Sequence, residues 1–256
     1  NVLAMNVDGL IRSEYFTKDR EGRIAAGPVW DFDRSMGGGD VRSQDPLRWS
    51  GPDGAADYFA YGWWGPMAQD PEFVQGWIDR WQTLRTRELA TANVNAMIDA
   101  LAAQVGPAAA ARDAARWIDN APRFSGGWSG EVANMKSWLA RRSAWIDAQF
   151  TAAPTVTAGA NGTLVVTPAP GTQLVYTLDG TDPRAFGGSF AHSAKTSASP
   201  VTVPATSDLQ ARSYRANYPR NPAPASGWSG PSGSTRAVTT QCCHRCAHAW
   251  TCGAPR

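Results

Sequence analysis

The sequence predicts an α+β protein: a β-hairpin leading into a mainly helical part, followed by a small all-β sandwich. Three observations predict it. Residues 12–33 hold two extended runs separated by a polar turn. Between residues 70 and 150, apolar side chains recur at three- and four-residue steps, the spacing that lines one face of a helix. At Thr151 the composition shifts to Thr, Val, Ala, Pro and Gly, and the helical period disappears. Helices kept apart from strands along the chain are the mark of an α+β arrangement. The expected boundaries are 1–150, 151–238 and a Cys-rich tail over 239–256.

The first element opens on Asn6-Val7-Asp8. Arg12 to Lys18 alternates as a strand, Asp19-Arg20-Glu21-Gly22 turns the chain, and a second run ends in Trp30-Asp31-Phe32-Asp33. Strands of a hairpin run in opposite directions, so the entry of the first and the exit of the second share one end. Asp8 and Asp31, distant in sequence, are therefore expected to face one pocket. Phosphoryl transfer needs such a pair: one carboxylate near the attacking hydroxyl, others to hold the metal that bridges the nucleotide phosphates. Paired acids on a hairpin also occur simply as solvated turn residues.

Residues 40–62 lack periodicity and read as a long loop, either a functional excursion or one pinned by Trp49 and Tyr58. Asp70 is a good N-cap and Pro71 a favoured first helical residue. Phe73, Trp77, Trp81 and Leu84 then mark the apolar face, with Arg80 and Arg85 on other faces. A second helix over 91–105 presents Val94, Met97, Ile98, Leu101 and Val105; Pro107 interrupts it, and Ala108 to Ile118 is rich in the strongest helix former. Ser129 is a candidate cap for a last helix over Glu131 to Phe150, with Met135, Trp138, Leu139, Trp145 and Ile146 inward and Lys136, Arg141 and Arg142 carrying charge.

Beyond Thr151, strands are expected at 163–167, 173–178, 200–203 and 209–216, with a further one at 235–239. Short strands between turn signals suggest a sandwich. The sharpest local motif there, Tyr176-Thr177-Leu178-Asp179-Gly180-Thr181-Asp182-Pro183, carries two turn signals. Turn chemistry accounts for Asp179 and Asp182 without a cation. In the tail, Cys243, Cys246, His248 and Cys252 meet the ligand count of a tetrahedral zinc site, but the segment has little apolar cover and reads as an unstructured end.

Composition narrows the classes. With 43% hydrophobic residues and 12 Trp, the chain is expected to pack a core. A net charge of +2 without a dense basic cluster does not point to nucleic acid. No run of about 20 apolar residues offers a membrane span. All four Cys lie in the tail, a distribution that fits secreted and cytosolic proteins alike.

Asn6-Val7-Asp8-Gly9, Ser13, Tyr15-Phe16, Lys18-Asp19, Gly22, Gly27-Pro28-Val29-Trp30-Asp31-Phe32-Asp33 and Met36-Gly37, taken in order, resemble the core signature of the CotH kinase family of atypical secreted and spore-coat protein kinases. The resemblance continues through Trp63-Trp64, Asp70-Pro71-Glu72-Phe73, Arg80-Trp81, Leu84-Arg85, Lys136, Trp138-Leu139, Arg142 and Trp145-Ile146-Asp147. It implies a partial atypical protein-kinase-like domain over 1–150, with ATP and Mg²⁺ as cofactors and a protein hydroxyl as acceptor. Asp8 matches the catalytic Asp and Asp31 the metal-binding Asp, helped by Asp33. Kinases usually place Asn five residues after the catalytic Asp; here Ser13 stands there, a weaker ligand expected at the nucleotide–metal site. The Gly-rich loop and the nucleotide-binding Lys with its Glu partner are not found, so the chain reads as the back half of a kinase, inactive alone. Residues 151–238 resemble the chitobiase C-terminal or fibronectin-III-associated module, which implies a secreted or cell-surface bacterial protein. The alternative is a non-catalytic surface scaffold whose β module binds cell-wall polysaccharide or another protein.

Overall fold

The computed structural model describes residues 1–9, 11–38, 40–49, 59, 62, 64–118, 126–216 and 226–233. The hairpin is present but short. Strand β1 (Phe16–Thr17) pairs antiparallel with β2 (Ala25–Ala26), Phe16 opposite Ala26 and Thr17 opposite Ala25. The paired strands cover less than the alternating run because its flanks belong to the loops of the site.

Helix α1 (Trp64–Gln69) precedes α2 (Pro71–Arg85). The Asp70 side chain caps α2 by accepting the Glu72 amide at 2.9 Å, and Pro71 occupies the first turn, where its missing N–H is no loss. The apolar face is rotated slightly from the expected one. Val74, Ile78 and Trp81 are the buried apolar residues, packed with Ile146 and Phe150 and flanked by Leu3, Trp49, Trp77, Leu89 and Trp145. Phe73, Trp77 and Leu84 instead line a cavity of about 340 Å³.

Helix α3 (Thr91–Arg116) is bent: Gly106, with φ 71° and ψ 158°, breaks it just before Pro107, as the sequence indicated. Its expected inward face is not buried. Met97, Leu101 and Val105 are exposed; among the described elements the main partner of α3 is helix α4 (Gly127–Ala148), which covers a different part of its surface. Helix α4 begins four residues earlier than expected, so Ser129 lies inside it and Gly126 occupies the cap position. Trp138, Arg142 and Ile146 form its buried row at four-residue steps. Arg142 is fully buried, which its charge did not suggest. Carbonyls satisfy it: Nη1 donates to Pro46 at 3.1 Å and also to Arg48, and Nη2 donates to Val2 at 2.8 Å. The guanidinium also lies over the rings of Trp49 and Trp145.

The last part is two facing sheets. Strands β3 (Thr155–Ala158), β4 (Thr163–Thr167) and β7 (Val201–Pro204) form one, in the order β3-β4-β7. Strands β5 (Gln173–Thr177), β6 (Lys195–Ser197), β8 (Gln210–Tyr214) and β9 (Ser232–Gly233) form the other, in the order β6-β5-β8-β9. Val166, Leu174, Val203, Leu209 and Ala211 make the core between them. Strands β3, β6 and β9 were not anticipated, being short and polar. The expected strand at 235–239 and the Cys-rich tail lie outside the described residues.

The β part is tied to α2 by partly buried polar contacts. Arg212 of β8 donates to Asp79 at 2.7 and 2.9 Å, and to Asp182 at 2.7 and 2.5 Å. Arg184 forks onto Glu72 at 2.8 and 2.6 Å, and the Gly187 amide adds a third bond. Gln82 accepts the Gly230 amide and donates to the Thr151 carbonyl. Asp182 thus serves both its turn, where it accepts the Arg184 amide, and this junction.

Candidate functional site

The site is built from the chain on either side of the hairpin. After Asp8 the backbone wraps one turn: the amides of Ile11, Arg12 and Ser13 all donate to the Asp8 carbonyl, at 3.4, 2.9 and 3.1 Å. That turn aims buried Ser13 at the far arm, where Ser13 Oγ donates to Asp31 Oδ2 at 3.1 Å. Asp31 holds the left-handed backbone conformation with φ 57°, uncommon for a residue with a Cβ. Fully buried Asn6 donates from Nδ2 to the Asp31 carbonyl at 3.2 Å. The amide of Met36 closes the frame on the Ala4 carbonyl at 2.8 Å. Asp8, Ser13 and Asp31 are thus linked through bonds across the hairpin.

Asp33 is exposed, and among the described residues no hydrogen bond or ion pair joins it to the other three. The adjacent loop brings residues that sequence reasoning missed. Arg42 Nη2 lies 3.4 Å from Asp8 Oδ1 and 2.7 Å from Asp40 Oδ2. Asp40 also accepts the Arg42 backbone amide at 2.8 Å and Nε at 3.0 Å. Hydrogen bonding to Arg42 holds the Asp40 carboxyl below its ordinary range, and the same bond to Asp40 raises the pKa of Arg42. Arg34 sits more loosely, 3.8 Å from Asp8 and 3.9 Å from Asp40, with half of its side chain in solvent. Asp40 and Arg42 fall in a stretch with no periodicity, so only their alternating charge could have drawn notice.

Helix α4 anchors this loop. Trp138 Nε1 donates to the carbonyls of Ser43 and Gln44, at 3.1 and 3.2 Å. Gly37 passes the indole so closely that a Cβ would stand 3.1 Å from the ring, and its φ of 76° also favours glycine.

The 340 Å³ cavity is elsewhere. It is lined by Leu3, Phe73, Trp77, Arg80 and Trp81 among others, and by neither Asp8 nor Asp31. The two carboxylates stand instead at a surface, Asp8 partly covered and Asp31 exposed.

The oxygens present suit a hard cation. Mg²⁺ takes one or two carboxylates and completes its shell with phosphate and water. Asp31 with the Ser13 hydroxyl beside it offers such a set, and exposure leaves the remaining carboxylate lone pairs accessible. Among the described residues no group of three or more His, Cys, Asp or Glu forms a cage that would hold a metal alone. No described helix is long and apolar enough to cross a membrane.

Comparison with known proteins bears on residues 1–146, which match the family described as CotH kinase protein. No match was found among curated proteins or among solved structures. The matched residues include the hairpin, Asp8, Ser13, Asp31, Arg42 and all four helices except the last residues of α4, and the chain belongs to the CotH kinase protein family.

Proposed function

We propose that this chain carries part of the active site of a secreted CotH-type protein kinase, which moves the γ-phosphate of ATP to a protein hydroxyl. The observation that carries the reading is the Ser13–Asp31 hydrogen bond of 3.1 Å beside the turn that starts at Asp8. Asp8 orients the acceptor hydroxyl and takes its proton as the oxygen attacks the γ-phosphorus and ADP departs. Asp31, with Ser13 and with Asp33 as a second acid nearby in sequence, holds Mg²⁺. The cation, when bound, neutralises charge on the β- and γ-phosphates. Arg42, fixed by Asp40, keeps the Asp8 carboxylate in place, and Arg34, held only at 3.8 and 3.9 Å, can swing to meet an incoming phosphate.

The test is transfer of label from γ-labelled ATP to protein by the complete gene product, with Mg²⁺. Asp31→Ala is expected to abolish transfer; undiminished labelling rejects the metal role.

A second reading has its own support. The Asp8 carboxylate is already engaged by Arg42 and Arg34. A non-catalytic surface scaffold, with the β part binding cell-wall polysaccharide, would leave that ion pair permanently closed. Retention on chitin, cellulose or peptidoglycan that depends on residues 151–238, together with no kinase activity in the complete product, is the outcome this reading expects.

A further inference from the structure

We propose that Asn6 is a positioning residue for Asp31: its buried carboxamide grips the Asp31 backbone and sets the direction in which that carboxylate leaves the chain. The inference rests on the reading of Asp31 as a metal-holding group.

Asn6 is fully buried between Met5 and Val7, which are fully buried themselves. A polar side chain in such a place is unfavourable unless it is bonded. Its Nδ2 is bonded twice, to the Asp31 carbonyl at 3.2 Å and to Asn1 Oδ1 at 3.4 Å. Among the described residues its Oδ1 has no hydrogen-bond partner. Leucine, of similar size, would fill the same space without a stranded oxygen. What the amide offers and leucine does not is the N–H donor, and that donor points at the backbone of Asp31.

Asp31 needs such a grip. A residue with a Cβ at φ 57° persists only where its surroundings fix it. Two bonds do so from opposite ends: Asn6 on the carbonyl and Ser13 on the carboxylate. The Ser13 bond alone ties down an exposed side chain but leaves the backbone free to rotate to negative φ. Such a rotation redirects the carboxylate away from the Asp8 turn.

The experiment uses residues 1–256 as wild type, Asn6→Leu and Asp31→Asn, with Mn²⁺ as the probe ion and two readouts. One is the amide resonance of Asp31 by NMR, which needs no metal; the other is Mn²⁺ affinity from the spin resonance of the free ion. Asn6→Leu is expected to move the Asp31 resonance and to weaken Mn²⁺ binding by about tenfold or more, the usual effect of losing a group behind a ligand. Asp31→Asn is expected to remove the same binding. An unmoved Asp31 resonance in Asn6→Leu overturns the proposal, whatever the ion does. Mn²⁺ binding that survives Asp31→Asn overturns the metal role of Asp31 instead, and Asn6 is then decided by the resonance. If Asn6→Leu does not fold, Asn6→Ser is read by the same criteria. Failure of both to fold makes Asn6 a folding residue and overturns the positioning role.

Discussion

Arg42 reaches Asp8 and Asp40 with one nitrogen: Nη2 is 3.4 Å from the first carboxylate and 2.7 Å from the second. The shorter bond fixes the guanidinium, and the longer one lets it steady Asp8 without burying it. Arg42→Met removes two side-chain hydrogen bonds from a largely buried Asp40 carboxylate and leaves it the one from the residue-42 backbone amide. The expected loss is about 1–3 kcal/mol of folding stability, from the carboxylate lone pairs left without their guanidinium donors. Urea unfolding measures it; an unchanged midpoint contradicts the role given to Arg42.

Arg212 sits almost fully buried between two carboxylates that keep some contact with water. Burial disfavours its charge, and the bonds to Asp79 and Asp182 more than offset this, so its pKa is raised. The two ways of breaking the cluster are therefore unequal. Asp79→Asn with Asp182→Asn strands a buried guanidinium and is expected to destabilise by about 3–5 kcal/mol. Arg212→Met leaves two acids that water can reach, and is expected to cost less, about 1–3 kcal/mol. Equal losses, measured by chemical unfolding, would contradict this description of the junction.

Glu72 gives the same junction a pH dependence. Hydrogen bonding to Arg184 holds its carboxyl below the ordinary value of 4.5. A carboxylate depressed in the folded state stabilises above its unfolded pKa, and that contribution is lost as pH falls through the folded value. Wild type is thus expected to melt above Glu72→Gln near pH 7, with the gap closing as pH drops below 4.5. Melting curves of the two proteins across that range check it; a gap that persists in acid contradicts the ion pair as its source.

Signals that act over a few residues were legible in the sequence. Asp70 and Pro71 start α2 because capping is local, and Pro107 marks the break in α3 because proline acts on its own turn, although the non-helical residue itself is Gly106. The strands expected at 163–167 and 173–178 formed as β4 and β5, because short apolar runs between turns found a core to pack into. Hairpin geometry led to the expectation that Asp8 and Asp31 share one end, and the family resemblance drew notice to Ser13; the structure shows Ser13 bonded to Asp31. What depended on distant partners was hidden. Arg142 is buried because carbonyls of Val2 and Pro46 surround it, and Arg212 meets Asp79 across 133 positions. Asn6 finds Asp31 only once the hairpin has closed. The apolar stripe of α3 has the period of a core helix, but a period cannot tell how many neighbours a helix will have.

Asp8 and Asp31 are proposed to act on one reaction, and this is tested by comparing phosphate transfer by Asp8→Asn, Asp31→Asn and the double variant of the complete gene product. Each single change is expected to slow transfer from γ-labelled ATP by about 100-fold or more, the usual effect of losing a positioned base or a metal-holding group. Groups that act as a unit do not lose their effects independently, so the double variant is expected to be little slower than the worse single one. Transfer at the wild-type rate in either single variant, or losses that multiply in the double, would contradict a shared site.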